Sequence, residues 1–156
     1  MFYGFNASFT WGNFDFGLDV YGNAGNKVYN AKKGLRFGGN YNVEYDVANR
    51  RWTPGSNNNT YPGASNVTPY PTDYFIESGA YTRINNITAG YTFPAMKPWK
   101  HFERLRVFAS AQNPYLHTKY TGFTPELPGN QNEAGIELNV YPISASYLIG
   151  VNVQFK

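Results

Sequence analysis

From Tyr3 onward the chain alternates with a period of two. Tyr3, Phe5, Ala7, Phe9 and Trp11 are separated by Gly4, Asn6, Ser8 and Thr10, the pattern of a strand with one apolar and one polar face. Gly12-Asn13 follows, a two-residue loop with glycine first, as a type II′ hairpin turn prefers. Beyond it Phe14, Phe16, Leu18 and Val20 alternate with Asp15, Gly17, Asp19 and Tyr21. A hairpin closed on that turn sets Trp11 opposite Phe14, Phe9 opposite Phe16, Ala7 opposite Leu18 and Phe5 opposite Val20. Every apolar residue then falls on one face.

The end of the chain repeats the pattern. Tyr147, Ile149, Val151, Val153 and Phe155 alternate with Ser146, Leu148, Gly150, Asn152 and Gln154, and Leu148 is the one exception. Two further strands are predicted between these ends, giving five over about 2–11, 14–22, 81–93, 104–115 and 146–155. In the third, Arg83 and Asn85 share the parity of Ile87. That parity predicts Arg83 at the outer water boundary of a tilted strand and leaves Asn85 on the apolar side. Asp15, Asp19 and Arg106, the charged side chains counted in the strand cores, all take the polar parity. A basic side chain facing lipid at midplane costs about 2–4 kcal/mol, whereas one facing a wet lumen is solvated.

Connection lengths alternate. Gly12-Asn13 and residues 94–103 are short, whereas residues 23–77 and 117–144 are long and rich in Gly, Pro and Asn. Outer-membrane barrels have this arrangement, with short periplasmic turns and long extracellular loops. The predicted fold class is therefore all-β, an antiparallel transmembrane β-barrel segment whose C-terminus lies in the periplasm. Five strands do not close a barrel, since the smallest bacterial ones use about eight. An open edge in lipid leaves unpaired backbone groups.

Composition sharpens this picture. Charged residues make up 15% and aromatics 19%, with 14 Tyr, 12 Phe and 3 Trp, yet mean hydropathy is −0.51. Few charges, many aromatics and a polar average fit a surface greasy on one side and wet on the other. No run approaches the 18 or so apolar residues of a membrane helix, a test that barrel strands evade. Cysteine is absent, which excludes disulfides and thiolate metal sites within the chain. The net charge of +3 is scattered, so nucleic-acid binding is not expected. The opening MFYGFNASFTW lacks the features of a signal peptide, and the expectation is a fragment or one polypeptide of a split barrel.

Three stretches resemble one family. PTDYFIESGAYTRINNITAGYTFP at 71–94, LRVFASAQNPYLHTKYTGFTPEL at 105–127 and the ending at 139–155, with Tyr141-Pro142 and GVNVQF, resemble the last barrel strands of SusC/RagA-family TonB-linked outer-membrane proteins. NRRWTP at 49–54 resembles a loop element of the same family. Departures are Pro114, where a large apolar residue is more usual, the missing Pro-Arg pair after Tyr141-Pro142, and Lys156 after the terminal aromatic. The resemblance implies that residues 1–156 are the C-terminal part of a barrel of roughly 22 strands with a plugged lumen. It also implies a Gram-negative outer membrane and import of oligosaccharides or peptides. The implied partners are the remaining strands and plug, the bilayer, a SusD-like surface lipoprotein, and TonB acting on an N-terminal part that these residues do not include.

Candidate sites follow from both readings. His101 and His117 have neither metal-ligand nor triad spacing, and Asp15 and Asp19 read as lumen-lining carboxylates. No catalytic, cofactor or metal site is predicted, and the chain is not expected to be an enzyme. Arg106, Asn152 and Gln154 join the two aspartates as lumen-facing positions. Trp52, Tyr61, Tyr70 and Tyr74 in the first long loop, and Tyr120 and Phe123 in the second, are candidates for contact with substrate or lipoprotein through their flat rings. Trp11, Phe14 and Phe155 are expected to form a membrane-interface girdle near one level, and the resemblance implies that Phe155 belongs to the assembly signal. The competing readings are a secreted carbohydrate-binding β-sandwich and a barrel of another kind, a porin or adhesin.

Expressed alone, the chain should not be a stable water-soluble monomer, because Phe5, Phe9, Phe16, Leu18, Ile149 and Val151 make one continuous apolar face beside unpaired edges. Size-exclusion chromatography in detergent-free buffer should show aggregation. A monodisperse monomer that unfolds cooperatively contradicts the barrel reading.

Overall fold

A computed structural model describes residues 1–35, 42–58, 60–64, 72–94, 102–127, 135–138 and 140–155. The strands are β1 (Phe2–Trp11), β2 (Phe14–Asn23), β3 (Lys27–Asn30), β4 (Ile76–Ser78), β5 (Tyr81–Phe93), β6 (Phe102–Thr118), β7 (Ile136–Glu137) and β8 (Ser146–Phe155). Two one-turn helices, α1 (Ala31–Leu35) and α2 (Tyr45–Asn49), and a 3-10 turn at Asp73–Phe75 complete the elements. They form two compact units, one of residues 1–26, 80–119 and 142–156, the other of residues 27–79 and 120–141.

The first unit is a five-stranded antiparallel sheet in the order β1-β2-β5-β6-β8. Its first hairpin pairs Trp11 with Phe14, Phe9 with Phe16, Ala7 with Leu18 and Phe5 with Val20. Gly12 alone of the two turn residues has a positive φ, 57°, the backbone a type II′ turn needs at its first central position. Its missing Cβ is what makes that conformation cheap. Because direct partners share a face, the register sorts the whole sheet. One side carries Phe9, Phe16, Ala89, Ala109 and Ile149 in a row, and the next row is Ser8, Gly17, Thr88, Ser110 and Leu148 on the other. Phe9 is 63% exposed and Ile149 82%, so the apolar face covers no internal core among the described residues. The outer edges of β1 and β8 have no partner strand among them either.

The parity expected for Arg83 and Asn85 is corrected by a β-bulge. Asp19 pairs with Asn86 but Val20 pairs with Ile84, which leaves Asn85 as the extra residue. Upstream of it the strand changes faces, so Arg83 lies opposite Tyr21 and Leu116 on the polar side and is buried. Asn85 turns to Asp19, donating from Nδ2 to Oδ2 at 2.6 Å. The same irregularity falls between Gln112 and Tyr115 on β6, where Asn113 has φ 50°. Pro114 sits inside it, at a place where its missing N–H removes no ladder bond, and β6 continues to Thr118.

Across the polar face Arg106 on β6 reaches Asp15 on β2, spanning β5. Nε donates to Oδ1 at 2.9 Å, and Nη2 closes a second bond to Oδ2. Gly90 lies directly between them, and a Cβ there would run into both charged groups. Glycine is thus required by the ion pair above it. Further along, Ser110 donates to Asn86 Oδ1 at 3.0 Å and Asn86 Nδ2 to Thr88 Oγ1 at 3.1 Å.

The second unit departs from the expected irregular loops. Segments of both long connections share one small sheet, β4-β3-β7, with β3 antiparallel to β4 and parallel to β7. Val28, Asn30, Glu77 and Glu137 take one face of it, while Tyr29, Ile76 and Ile136 take the other. Val28, Val47, Phe75 and Tyr120 are its buried apolar residues, and Asn30, Thr124 and Glu137 are buried with them.

Replacing Gly90 by alanine in the complete barrel should force Asp15 and Arg106 apart, at a cost of about 1–3 kcal/mol for overpacking. Urea titration of the reconstituted barrel should show a lower midpoint. Combining Gly90→Ala with Asp15→Ser should recover part of the loss, and an unchanged midpoint for Gly90→Ala contradicts the role given to the glycine.

Candidate functional site

In the second unit two carboxylates organise the fold. Asn30 fills the position before α1, where its Oδ1 accepts the Lys33 N–H at 3.1 Å, an N-cap contact. Its Nδ2 donates to Glu77 Oε1 at 3.2 Å. Glu77 Oε2 also accepts the Thr121 N–H at 2.8 Å, the Thr121 hydroxyl donates to its Oε1 at 2.7 Å, and Lys33 Nζ lies 3.3 Å from Oε1. Burial pushes the Glu77 carboxyl up, but the Thr121 and Lys33 donors outweigh it and hold the group below its ordinary value of 4.5. Glu137, fully buried, accepts the Tyr120 hydroxyl at 2.6 Å. Lys32 Nζ is 3.6 Å from its Oε1, an ion pair longer than a hydrogen bond.

A cavity of about 390 Å³ opens within this unit, lined by Lys33, Glu44, Asp46, Val47, Thr60, Tyr61, Tyr74 and Thr121. Tyr61 donates its hydroxyl to Asp46 Oδ2 at 2.7 Å, and Arg50 Nη1 donates to both Asp46 oxygens at 3.2 and 3.3 Å. The Tyr61 hydroxyl, and then Arg50, hold the Asp46 carboxyl below its ordinary value, while the same hydrogen bond raises the Tyr61 phenol. Burial, helped by the charge of Glu77, raises Tyr74. Lys33 Nζ stands 4.1 Å above the Tyr74 ring and donates to the Tyr74 carbonyl at 3.2 Å.

Of the aromatic contact candidates, Tyr61 and Tyr74 therefore meet at one cavity. Trp52 and Phe123 are exposed, Phe123 beneath Lys32 at 3.6 Å. Tyr120 is buried within its own unit, bonded to Glu137, and presents no ring face at the surface. Tyr70 and His101 lie outside the described residues. Asp46, Lys33 and Thr121 were not singled out from sequence, since their meeting depends on contacts between distant segments that no local pattern encodes.

In the sheet, Asp15, Asp19, Arg106, Asn152 and Gln154 share the polar face, with Arg106 opposite Asn152 and Arg104 opposite Gln154. Trp11, Phe14 and Phe155 are exposed. Phe14 packs on Tyr91 with ring centres 4.6 Å apart, and Tyr91 packs on Phe93 at 4.9 Å, so an aromatic cluster marks the end of the sheet at the Gly12-Asn13 turn. Among the described residues no group of His, Cys, Asp and Glu is arranged to hold a metal ion.

A lowered carboxyl pKa means that the folded form binds its proton less readily than the unfolded chain. Glu77 therefore stabilises its unit above about pH 4.5, and this contribution fades as pH falls through the depressed value. Glu77→Gln should weaken the unit by about 1–3 kcal/mol and remove the Glu77 part of its pH dependence. Amide exchange at Thr121, corrected for intrinsic rate, should quicken about 5- to 150-fold. Protection that is unchanged in Glu77→Gln contradicts the assignment.

The chain is 30% identical over 163 aligned residues to the TonB-dependent receptor SusC of Bacteroides thetaiotaomicron, covering 97% of this chain and 15% of that protein. It is 29% identical to the TonB-dependent receptor P39 of Formosa agariphila, again over 97% of this chain and 15% of the relative. The chain thus spans about a sixth of the length of these relatives. No protein-family model matches it. The RagAB peptide transporter superposes with a TM-score of 0.80 at 22% identity, over 96% of this chain and 16% of that one. The RagAB peptide importer in its open-open state gives 0.76 at 24% identity with the same coverage. The alternating strands, their register and these likenesses lead to one conclusion: the chain is a β-barrel segment of the SusC/RagA family of TonB-dependent outer-membrane proteins.

Proposed function

We propose that the chain forms the C-terminal wall and outer loops of a SusC-like transporter that carries oligosaccharides or peptides across the outer membrane. The observation that carries this reading is the two-faced sheet. Its apolar side, with Phe9, Phe16, Val107, Ile149 and Val153, is exposed and is assigned to lipid. Its polar side, with Asp15, Asp19, Arg106, Asn152 and Gln154, is assigned to the lumen. A sandwich module would instead bury one of these faces against a second sheet.

The orientation follows from connectivity. The Gly12-Asn13 turn and the end of β8 at Phe155 belong to one end of the sheet, where Phe14, Tyr91 and Phe93 cluster. Short turns are periplasmic in such barrels, so this end and the C-terminus are assigned to the periplasm and the Trp11, Phe14 and Phe155 rings to the interface. The long connections of the second unit are then extracellular, where a SusD-like lipoprotein is the proposed partner. TonB is proposed to act through the rest of the polypeptide. Within this part the chain serves as wall and loops, with no enzymatic role.

Phe155→Ala in the full-length transporter should lower the heat-modifiable barrel in outer-membrane fractions, because the last strand must be recognised and must pair to close the barrel. Trp52→Ala, in an exposed loop position, should leave that level unchanged. Normal levels for Phe155→Ala remove the assembly role assigned to it. Recovery of the wild-type protein in the soluble fraction contradicts the transporter reading itself.

A further inference from the structure

One long connection joins β2 to β5 and the other joins β6 to β8. Neither holds enough regular structure to stand alone. The first supplies β3, β4 and two helices of five residues each, and the second supplies the two residues of β7. A lone two-stranded hairpin is marginal in water, and so is a helix of one turn. Each connection instead completes the other. The buried residues come from both, with Val28, Asn30 and Phe75 on the first and Tyr120, Thr124 and Glu137 on the second. Backbone pairing crosses between them in the parallel ladder of β3 with β7, beside which the Tyr29 N–H donates to the Gly135 carbonyl at 2.7 Å.

The charged groups are shared in the same crosswise manner. Glu77, on the first connection, takes the N–H and the hydroxyl of Thr121 from the second. Glu137, on the second, has Lys32 of the first 3.6 Å from its Oε1. Among the described residues no hydrogen-bond donor reaches that buried oxygen, so its charge is balanced across the two connections. Withdrawing either connection strips a carboxylate of the other: Glu77 loses two of its donors, and Glu137 loses the cation beside it. A buried carboxylate deprived of its partner is strongly destabilising. Neither half therefore gains by opening first.

We propose that the two connections form one cooperative element, a conformational device in which both open and close together. A ligand or partner that seats on either one then restrains the other as well, because it binds a closed state that they share. The inference concerns the second unit alone and does not depend on which side of the membrane it faces.

The test uses the full-length protein in detergent, with hydrogen exchange followed by mass spectrometry in peptides covering 27–35 and 119–127. A peptide covering 104–112 of the five-stranded sheet serves as reference. Lys32→Met, on the first connection, keeps most of the stem and removes the charge. Thr121→Val, on the second, keeps the shape and removes the hydroxyl. After correction for intrinsic rate, exchange should quicken at least about ten-fold in Lys32→Met and about three-fold or more in Thr121→Val. In each variant 27–35 and 119–127 should agree within roughly two-fold, as segments of one opening unit do, while 104–112 stays unchanged. Quickening confined to the substituted segment, no quickening in either segment, or equal quickening in 104–112 overturns the proposal. The wild-type protein supplies a second measurement that needs no variant to fold. In rising urea below the unfolding transition, the slowest amides of 27–35 and 119–127 should converge on one opening free energy with one slope. Two separate values overturn the proposal.

Discussion

Backbone hydrogen bonding is the constraint on which the sheet depends. Hydrocarbon offers no partner to a free N–H or C=O, and each unsatisfied group costs several kcal/mol there. Along the ten residues of β1 every second residue points its backbone groups away from β2, which leaves about ten of them for another strand. The same holds for β8. This requirement couples the chain to strands beyond it and makes the alternation of side chains useful, because a barrel wall has lipid on one side and water on the other. It also fixes register, since a slip of one residue would exchange the faces.

Polar chemistry on the second face is consistent with that division and also shapes the backbone. Asp15 and Arg106 span three strands only because Gly90 leaves room. Asn85 leaves the ladder to reach Asp19, and the bulge brings Arg83 to the side where its charge is tolerated. One extra residue thus moves a basic side chain from the apolar to the polar face of the sheet. Pro114 and Asn113 on the neighbouring strand accommodate the same irregularity. The strand with the least regular sequence is therefore the one whose geometry is adjusted on both sides.

The strands and the first hairpin were legible because period-two alternation and a two-residue turn are local signals. Trp11 to Phe14 and Phe5 to Val20 follow from the turn alone. The bulge was not legible, since Asn85 breaks parity without any local sign of which neighbour would take its side chain. The second unit was hidden for a different reason. Its sheet joins Lys27–Asn30 to Ile76–Ser78 and to Ile136–Glu137, segments two to four residues long and far apart in sequence, too short to show a period. Its polar centre of Asn30, Glu77, Thr121 and Glu137 depends on those pairings. Tyr120 illustrates the consequence: composition marks it as a flat ring for binding, and its hydroxyl is instead spent on Glu137 in the interior.

The proposed transporter wall requires the two faces of one sheet to meet different solvents. The chain contains no cysteine, so single cysteines placed in it report without background once any cysteine elsewhere in the full-length protein is replaced by serine. They can be placed in the full-length transporter at Thr88, Ser110 and Asn152 on the polar face and at Phe9, Ala89 and Ile149 on the apolar face. In intact outer membranes the first three should react with a small water-soluble thiosulfonate. The second three should resist it, and a fluorophore attached to them before reconstitution should be quenched by nitroxide-labelled lipid. Equal reaction on both faces, or quenching from the polar one, would contradict the account.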